Sequence, residues 1–167
     1  AHVDVFTRLM WNPYATPATR SHVIAVVGKI GCRLRDARCT YSCGNFTVKV
    51  LQRCVDEAQR SGENFTSEVA DLAAECLDAV MDLFGDEDFD DNAYVPLEVD
   101  GAIRTVLPLL KRHIQAIKGA NKRGSAAWVR KRSLEEVASN ATRFLQYKRE
   151  NCKAIAQAGV GKKYRPT

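Results

Sequence analysis

Apolar residues recur every three to four positions along most of the chain, which predicts an all-α protein with about five helices. The first long helix is expected from about Pro17 to about Arg38. Thr16 can cap this helix, and proline is favoured at the first helical position. Residues 1–16 should form a short helical or extended arm that packs on the core, and Cys39–Gly44 a tight connection tied by disulfides.

Polar caps and glycines define the ends of the two middle helices. The second helix is predicted from near Asn45 to Ser61-Gly62, where glycine favours a stop. The third should start at Thr66 or Ser67, either of which can cap it, and should stop at Gly85. Helices two and three would then form an antiparallel hairpin.

Two helices are predicted in the remainder of the chain. The fourth follows Pro96 and ends at Gly119, and Pro108 should kink it because proline removes a backbone hydrogen bond. The last starts near Ser125, with a second possible start at Ser133, where Ser-Leu-Glu-Glu forms a capping box.

Cysteines and glycosylation motifs predict the compartment. An even number of cysteines combined with Asn-x-Thr sequons favours an oxidising, secretory environment with three disulfides. The alternative is a set of reduced cysteines in the core. Among fifteen possible pairings, Cys54 with Cys76 is favoured, and Cys152 should tie the last helix to the cysteine-rich stretch. The cysteines are Cys32, Cys39, Cys43, Cys54, Cys76 and Cys152, and the sequon asparagines are Asn45, Asn64 and Asn140.

The ends and the hydropathy of the chain fit this interpretation. The sequence begins at Ala1 without methionine, as a mature protein does after its signal peptide is removed. No apolar run approaches the roughly 20 residues that span a bilayer. We therefore expect residues 1–167 to form a single secreted domain, with residues 160–167 as a flexible basic tail.

Charge is distributed in blocks, although the net charge is only +5. The segment 56–100 holds fifteen acidic residues and one basic residue, whereas the segment from 101 to the end holds sixteen basic and three acidic residues. Such asymmetry indicates either a face that binds a charged partner or an internal match between acidic and basic helices.

The candidate binding surface is the basic face between residues 104 and 132, which contains no acidic residue. In a secreted protein it would bind an extracellular protein or a sulfated glycan, and we expect no nucleic acid and no membrane span. The basic face comprises Arg104, Lys111, Arg112, Lys118, Lys122, Arg123, Trp128, Arg130, Lys131 and Arg132.

Catalysis and metal binding find little support in the motifs. The chain has no zinc-protease, P-loop, serine-hydrolase or dinucleotide-binding signature, and disulfides would occupy the thiols. An EF-hand loop starting at Asp86 would need glycine and glutamate where Asp91 and Leu97 stand. We therefore expect no enzyme activity, no cofactor and no metal.

Together these patterns predict a secreted, glycosylated, non-enzymatic binding protein, stapled by three disulfides. It would act as an extracellular inhibitor or a host-directed effector that blocks a macromolecule through the basic face. A cytokine-like ligand and a helical carrier of a small apolar molecule are the alternatives. The oligomeric state is not predicted.

Overall fold

The computed structural model describes residues 2–34, 36–85 and 97–157, without the side chains of residues 2, 3, 37 and 149–157. The described residues contain six helices and no strand, so the all-α fold class is confirmed. The count is six and not five, because the N-terminal arm itself forms a helix. The helices are α1 (His2–Met10), α2 (Pro17–Leu34), α3 (Ala37–Arg60), α4 (Ser67–Phe84), α5 (Leu97–Gln115) and α6 (Ala126–Gln157).

Two side-chain caps and one set of backbone hydrogen bonds produce three of the predicted boundaries. The Thr66 hydroxyl accepts a hydrogen bond from the Val69 N–H at 3.3 Å and starts α4. The Ser125 hydroxyl accepts from the Trp128 N–H at 3.2 Å and starts α6. Helix α3 ends at Ser61, as predicted. Local hydrogen bonding therefore places these ends without help from the rest of the fold.

Three predicted helix boundaries and one alternative helix start were wrong. Cys39–Gly44 is not a connection but part of α3, which starts at Ala37 because the Asp36 carboxylate accepts from the Arg38 N–H at 2.9 Å. Helix α2 consequently ends at Leu34 and not near Arg38. Helix α6 has no second start at Ser133 but is continuous from Ala126, and α5 ends at Gln115, before Gly119.

Pro108 lies inside the helix, as the sequence predicted, and the structure places it on the exposed side of α5. The helix continues through it to Gln115. The change in axis direction at Pro108 stays a prediction. The predicted flexible tail (160–167) and the acidic loop considered for calcium (86–92) lie outside the described residues.

The six helices form three hairpins, α1–α2, α3–α4 and α5–α6, stacked in order. Each helix contacts only helices one or two places away along the chain, and no contact within the described residues joins more distant helices. This pattern defines two layers, here called layer A (α1, α3, α5) and layer B (α2, α4, α6). Stacking in which each unit touches only its neighbours is typical of helical-repeat proteins.

Neighbouring helices of layer B run parallel to one another. Gly28 and Gly31 of α2 lie against Ala79 and Leu83 of α4, in the same order along both helices. A Cβ atom on Gly28 would lie only 3.2 Å from the Cβ atom of Ala79, so glycine permits the close approach of α2 to α4. The two helices thus form a closely packed pair.

The core lies between the two layers. Leu51 and Ile103 of layer A and Ile24 and Leu77 of layer B are each 0% exposed. Burial of such side chains contributes about 1.5–3 kcal/mol each relative to exposure. None of the described helices is both long and apolar enough to cross a membrane.

The predicted disulfides are not present among the five cysteines whose side chains are described, Cys32, Cys39, Cys43, Cys54 and Cys76. Cys152 lies outside the described side chains. Burial raises the pKa of the Cys54 thiol to about 12 and raises that of Cys76 well above its usual range. These cysteines serve as small apolar core residues, which was the alternative interpretation of their pattern.

Candidate protein-binding face

Four carboxylates form a line along α4, here called the acidic stripe: Asp71, Glu75, Asp78 and Asp82. Their spacing of four, three and four residues places them on one side of a helix. The other sides of α4 pack against α2, α3, α5 and α6. The stripe therefore occupies the solvent-facing side of layer B and extends about 16 Å at the 1.5 Å rise of a helix.

The carboxylates are accessible to solvent but crowded. The pKa of Asp78 is raised to about 6, chiefly by burial and then by the negative charges of Glu75, Asp82 and Glu136. Burial also raises the pKa of Glu75, with a contribution from Asp71, and burial raises that of Asp82. These groups lie between the flanking helices of layer B, where water solvates charge less well. A cationic group placed over them would offset the cost of desolvation by its opposite charge and would reduce the mutual repulsion.

The N-terminal end of the stripe is held by a cluster from four segments. Arg130 of α6 donates hydrogen bonds to Asp71 at 2.9 Å, to the Ser67 carbonyl at 3.1 Å and to His113 Nε2 at 3.1 Å. Because His113 Nε2 accepts, its Nδ1 carries the proton and donates to the Phe65 carbonyl at 3.0 Å. The cluster joins α5 and α6 to the start of α4.

Arg130 neutralises only the first carboxylate of the stripe. Among the described residues, Glu75, Asp78 and Asp82 have no Lys, Arg or His nitrogen within 4 Å. The ion pairs in this part of the chain involve Asp71, Glu63 and Asp100 instead. Three negative charges in succession are therefore available to a binding partner.

A cleft lies at the C-terminal ends of α2 and α4. Its volume is about 420 Å³, and it opens to solvent beside the last carboxylate of the stripe. The lining residues are Lys29, Cys32, Arg33, Met81, Asp82 and Gly85. Within the described part of the chain, no group of three or more His, Cys, Asp or Glu side chains is arranged to hold a metal ion.

Several residues of the predicted basic face make contacts within the chain. Arg104 pairs with Asp100 at 2.7 Å, one turn earlier in α5. Arg112 donates to the Glu63 carbonyl at 3.0 Å, and the Arg132 guanidinium lies 4.8 Å from the Trp128 ring.

The remaining cations of that face lie at the surface. Lys111, Lys118, Lys122 and Arg123 are exposed, and Lys131 is half-buried. Arg112 and Arg130 each pair with an acidic residue of the 56–100 segment, so internal charge matching accounts for part of the asymmetry. The basic face as a partner site stays a prediction.

Each sequon threonine has a structural role. Thr47 is 0% exposed and donates to the Cys43 carbonyl at 2.8 Å inside α3. Thr66 caps α4, and Thr142 donates to the Ala138 carbonyl at 2.9 Å inside α6. The motifs at Asn45, Asn64 and Asn140 therefore have local structural explanations, and nothing in the fold points to glycosylation.

Sequence reasoning missed the acidic stripe. The i, i+4, i+7, i+11 spacing was present in the third predicted helix, but the acidic block was treated as a single charged segment. The positions of α2 and α6, which flank the stripe and raise its pKa values, were not contained in that spacing.

A family model described as "SYO1-like, TPR repeats" matches residues 6–152. No curated protein and no solved structure matched the chain. The three stacked hairpins agree with a helical-repeat family. The hairpins are longer than the roughly 34 residues of a TPR unit, since the helices of layer B begin at Pro17, Ser67 and Ala126.

This match overturns the function predicted from the cysteines and sequons. A secreted, glycosylated inhibitor or host-directed effector was wrong, and the cytokine-like and carrier alternatives lose their basis as well. Short motifs misled the sequence interpretation because each of them also occurs in ordinary helices and caps. The compartment by itself is tested neither by the fold nor by the match.

Proposed function

Because this chain belongs to the SYO1-like family of proteins with TPR repeats, we propose that it is a protein-interaction module. In this proposal it binds a basic segment of a partner protein along layer B. Stacked helical repeats present extended surfaces that are suited to binding such segments. Layer B forms such a surface. The acidic stripe lies on it, on α4 of the middle hairpin and between α2 and α6 of the flanking hairpins.

The observation that carries the proposal is the line of Glu75, Asp78 and Asp82 on the solvent-facing side of α4, where no cation of the described residues lies within 4 Å of them. The raised pKa of Asp78 agrees with this crowding of like charges. A protein gains no stability from three crowded carboxylates without cations. Arginine and lysine side chains of a partner would supply the missing charge, and arginine can also bind a carboxylate in a bidentate manner. The proposed partner is therefore a protein with a lysine- or arginine-rich segment.

This proposal replaces the predicted extracellular partners. A sulfated glycan carries the same charge as the stripe and would be repelled by it. The proposal keeps the expectation from the sequence that the chain binds and does not catalyse.

The test is fluorescence anisotropy with a labelled lysine-rich peptide and the full chain. The stripe variant E75Q/D78N removes one glutamate and one aspartate from layer B, while Asp71 stays in place to hold Arg130. The control D56N/E98Q removes the same residue types from exposed positions in layer A. Because the stripe variant can no longer form two screened ion pairs with the peptide, its binding should be about tenfold weaker, which corresponds to about 1.4 kcal/mol.

Equal affinities for the two variants would contradict the proposal. Nonspecific attraction to a negatively charged protein would lower the affinity of both by the same factor, because their net charges are equal. A labelled glutamate-rich peptide tests the basic face in parallel. If that peptide binds the protein and K122E/R123E abolishes its binding, the basic face is the partner site.

A further inference from the structure

The cleft at the end of the acidic stripe has two walls of opposite charge. Lys29 and Arg33 lie one turn apart on α2 and are exposed, while Asp82 closes the stripe on α4. Cys32 and Met81, both half-buried, lie between these walls. The cleft is thus a bipolar site with a less polar floor.

The two cations of this cleft are not used to neutralise the stripe. Among the described residues, neither Lys29 nor Arg33 has a carboxylate within 4 Å, although Asp82 lines the same cleft. The packing of Gly28 against Ala79 and of Gly31 against Leu83 fixes α2 against α4. Within the described residues, the charges on the two walls are therefore unpaired with each other and available to a ligand.

The charges therefore change sign in a definite order along layer B. On α4 the face is negative from Glu75 to Asp82, and the cations Lys29 and Arg33 lie on α2 beside the C-terminal end of this stretch. At the other end of the stripe, Arg130 is engaged by Asp71. A ligand that follows the face meets acidic groups first and basic groups last.

We propose that layer B selects a bipolar segment, with basic residues over Glu75 and Asp78 and an acidic residue between Lys29 and Arg33. This inference rests on the proposed function and adds the polarity of the partner. A carboxylate suits this position because Arg33 can bind it with two parallel hydrogen bonds. The aliphatic part of the acidic side chain would contact Met81 and Cys32.

The geometry also limits the length of the segment. Glu75 to Asp82 spans about 10 Å at the helical rise, and neighbouring helix axes lie about 8–10 Å apart. An extended chain covers about 3.3 Å per residue, so about three residues follow the stripe and about three cross to α2. The expected pattern is a pair of basic residues followed, about three to four positions later, by an acidic residue.

The test compares two synthetic peptides of identical composition by fluorescence anisotropy on the full chain. In the block peptide, lysines and glutamates are separated by an alanine spacer; in the scrambled peptide, the same residues alternate. We expect the block peptide to bind at least about fivefold more tightly than the scrambled one, which corresponds to about 1 kcal/mol in binding free energy. Alternation places a glutamate over the stripe, where it is repelled.

Reversal of the cation pair identifies the site. The variant K29E/R33E should lose the preference for the block peptide and bind an all-lysine peptide more tightly than the parent chain does. The control K122E/R123E makes the same charge change in the connection between α5 and α6 and should keep the preference. Thermal unfolding of both variants verifies that they fold.

The outcomes separate this inference from the proposed function. If both peptides bind with equal affinity, or if K29E/R33E keeps the block preference, the stripe binds cations but the cleft does not select polarity, and the inference is wrong. If neither peptide nor the all-lysine peptide binds, the proposed function fails and this inference fails with it.

Discussion

The contact between Gly31 and Leu83 provides the sharpest test of how layer B is held together. A methyl group on Gly31 would collide with Leu83 Cδ2, and its Cβ atom would lie 3.2 Å from the Cβ atom of Cys43. Leu83 is 3% exposed. The change G31A therefore forces a close-packed contact apart, whereas L83A opens a space at the same place.

The magnitudes follow from this geometry. Overpacking costs about 1–3 kcal/mol, and the higher helix propensity of alanine returns about 1 kcal/mol, so G31A should destabilise the fold by about 1 kcal/mol. L83A should cost about 3 kcal/mol for the reduced burial and the cavity. In the double variant the new methyl group occupies part of that cavity. The double variant should therefore be more stable than the sum of the single effects predicts, by about 1 kcal/mol or more.

The assay is urea unfolding of all four proteins, followed by circular dichroism. G101A is the control, because a Cβ atom at Gly101 in α5 meets nothing within 4 Å. It should stabilise the fold by about 0.5–1 kcal/mol through helix propensity alone. Additivity of G31A and L83A within about 0.5 kcal/mol would refute the proposed contact between α2 and α4.

Four further predictions concern charge, capping and thiols. The pKa values of Glu75, Asp78 and Asp82 are raised, that of Asp78 to about 6. The stability that Asp78 contributes is therefore complete below the ordinary aspartate pKa of about 4 and is lost as the pH rises through about 6. The unfolding free energy of D78N should depend less on pH over this window than that of the parent chain. Binding of the lysine-rich peptide should weaken below about pH 6, as anisotropy would detect, and pH-independent affinity would contradict the role of the stripe. T66A should cost about 1 kcal/mol in urea unfolding, because it removes the acceptor for the Val69 N–H; an unchanged midpoint would show that this cap contributes nothing. Reducing agent should leave the thermal midpoint unchanged, since the described cysteines form no disulfide, and a lower midpoint in reductant would restore the disulfide interpretation.

The features that the sequence analysis missed or predicted wrongly all depend on contacts between distant parts of the chain. The acidic stripe could be read from its spacing, but its significance depends on α2 and α6 lying on either side of it, about 50 residues away in each direction. The cysteines on α2, α3 and α4 were spaced like a disulfide framework, and only the packing shows that Cys43, Cys54 and Cys76 are buried thiols while Cys32 and Cys39 are half-buried. The predicted basic face illustrates the same limit, since Arg112 and Arg130 find their partners 49 and 59 residues away.

The sequence by itself determined the helices and most of their ends. Helical periodicity and capping act over about four residues, so the start of α4 at Thr66 and of α6 near Ser125 could be predicted from adjacent side chains. Tertiary structure alone decided that six helices stack as three hairpins, that Gly28 and Gly31 bring α2 against α4, and that a line of carboxylates lies opposite two available cations. The physical reason is that these features depend on contacts between residues far apart in the chain, whose pairing no local pattern encodes.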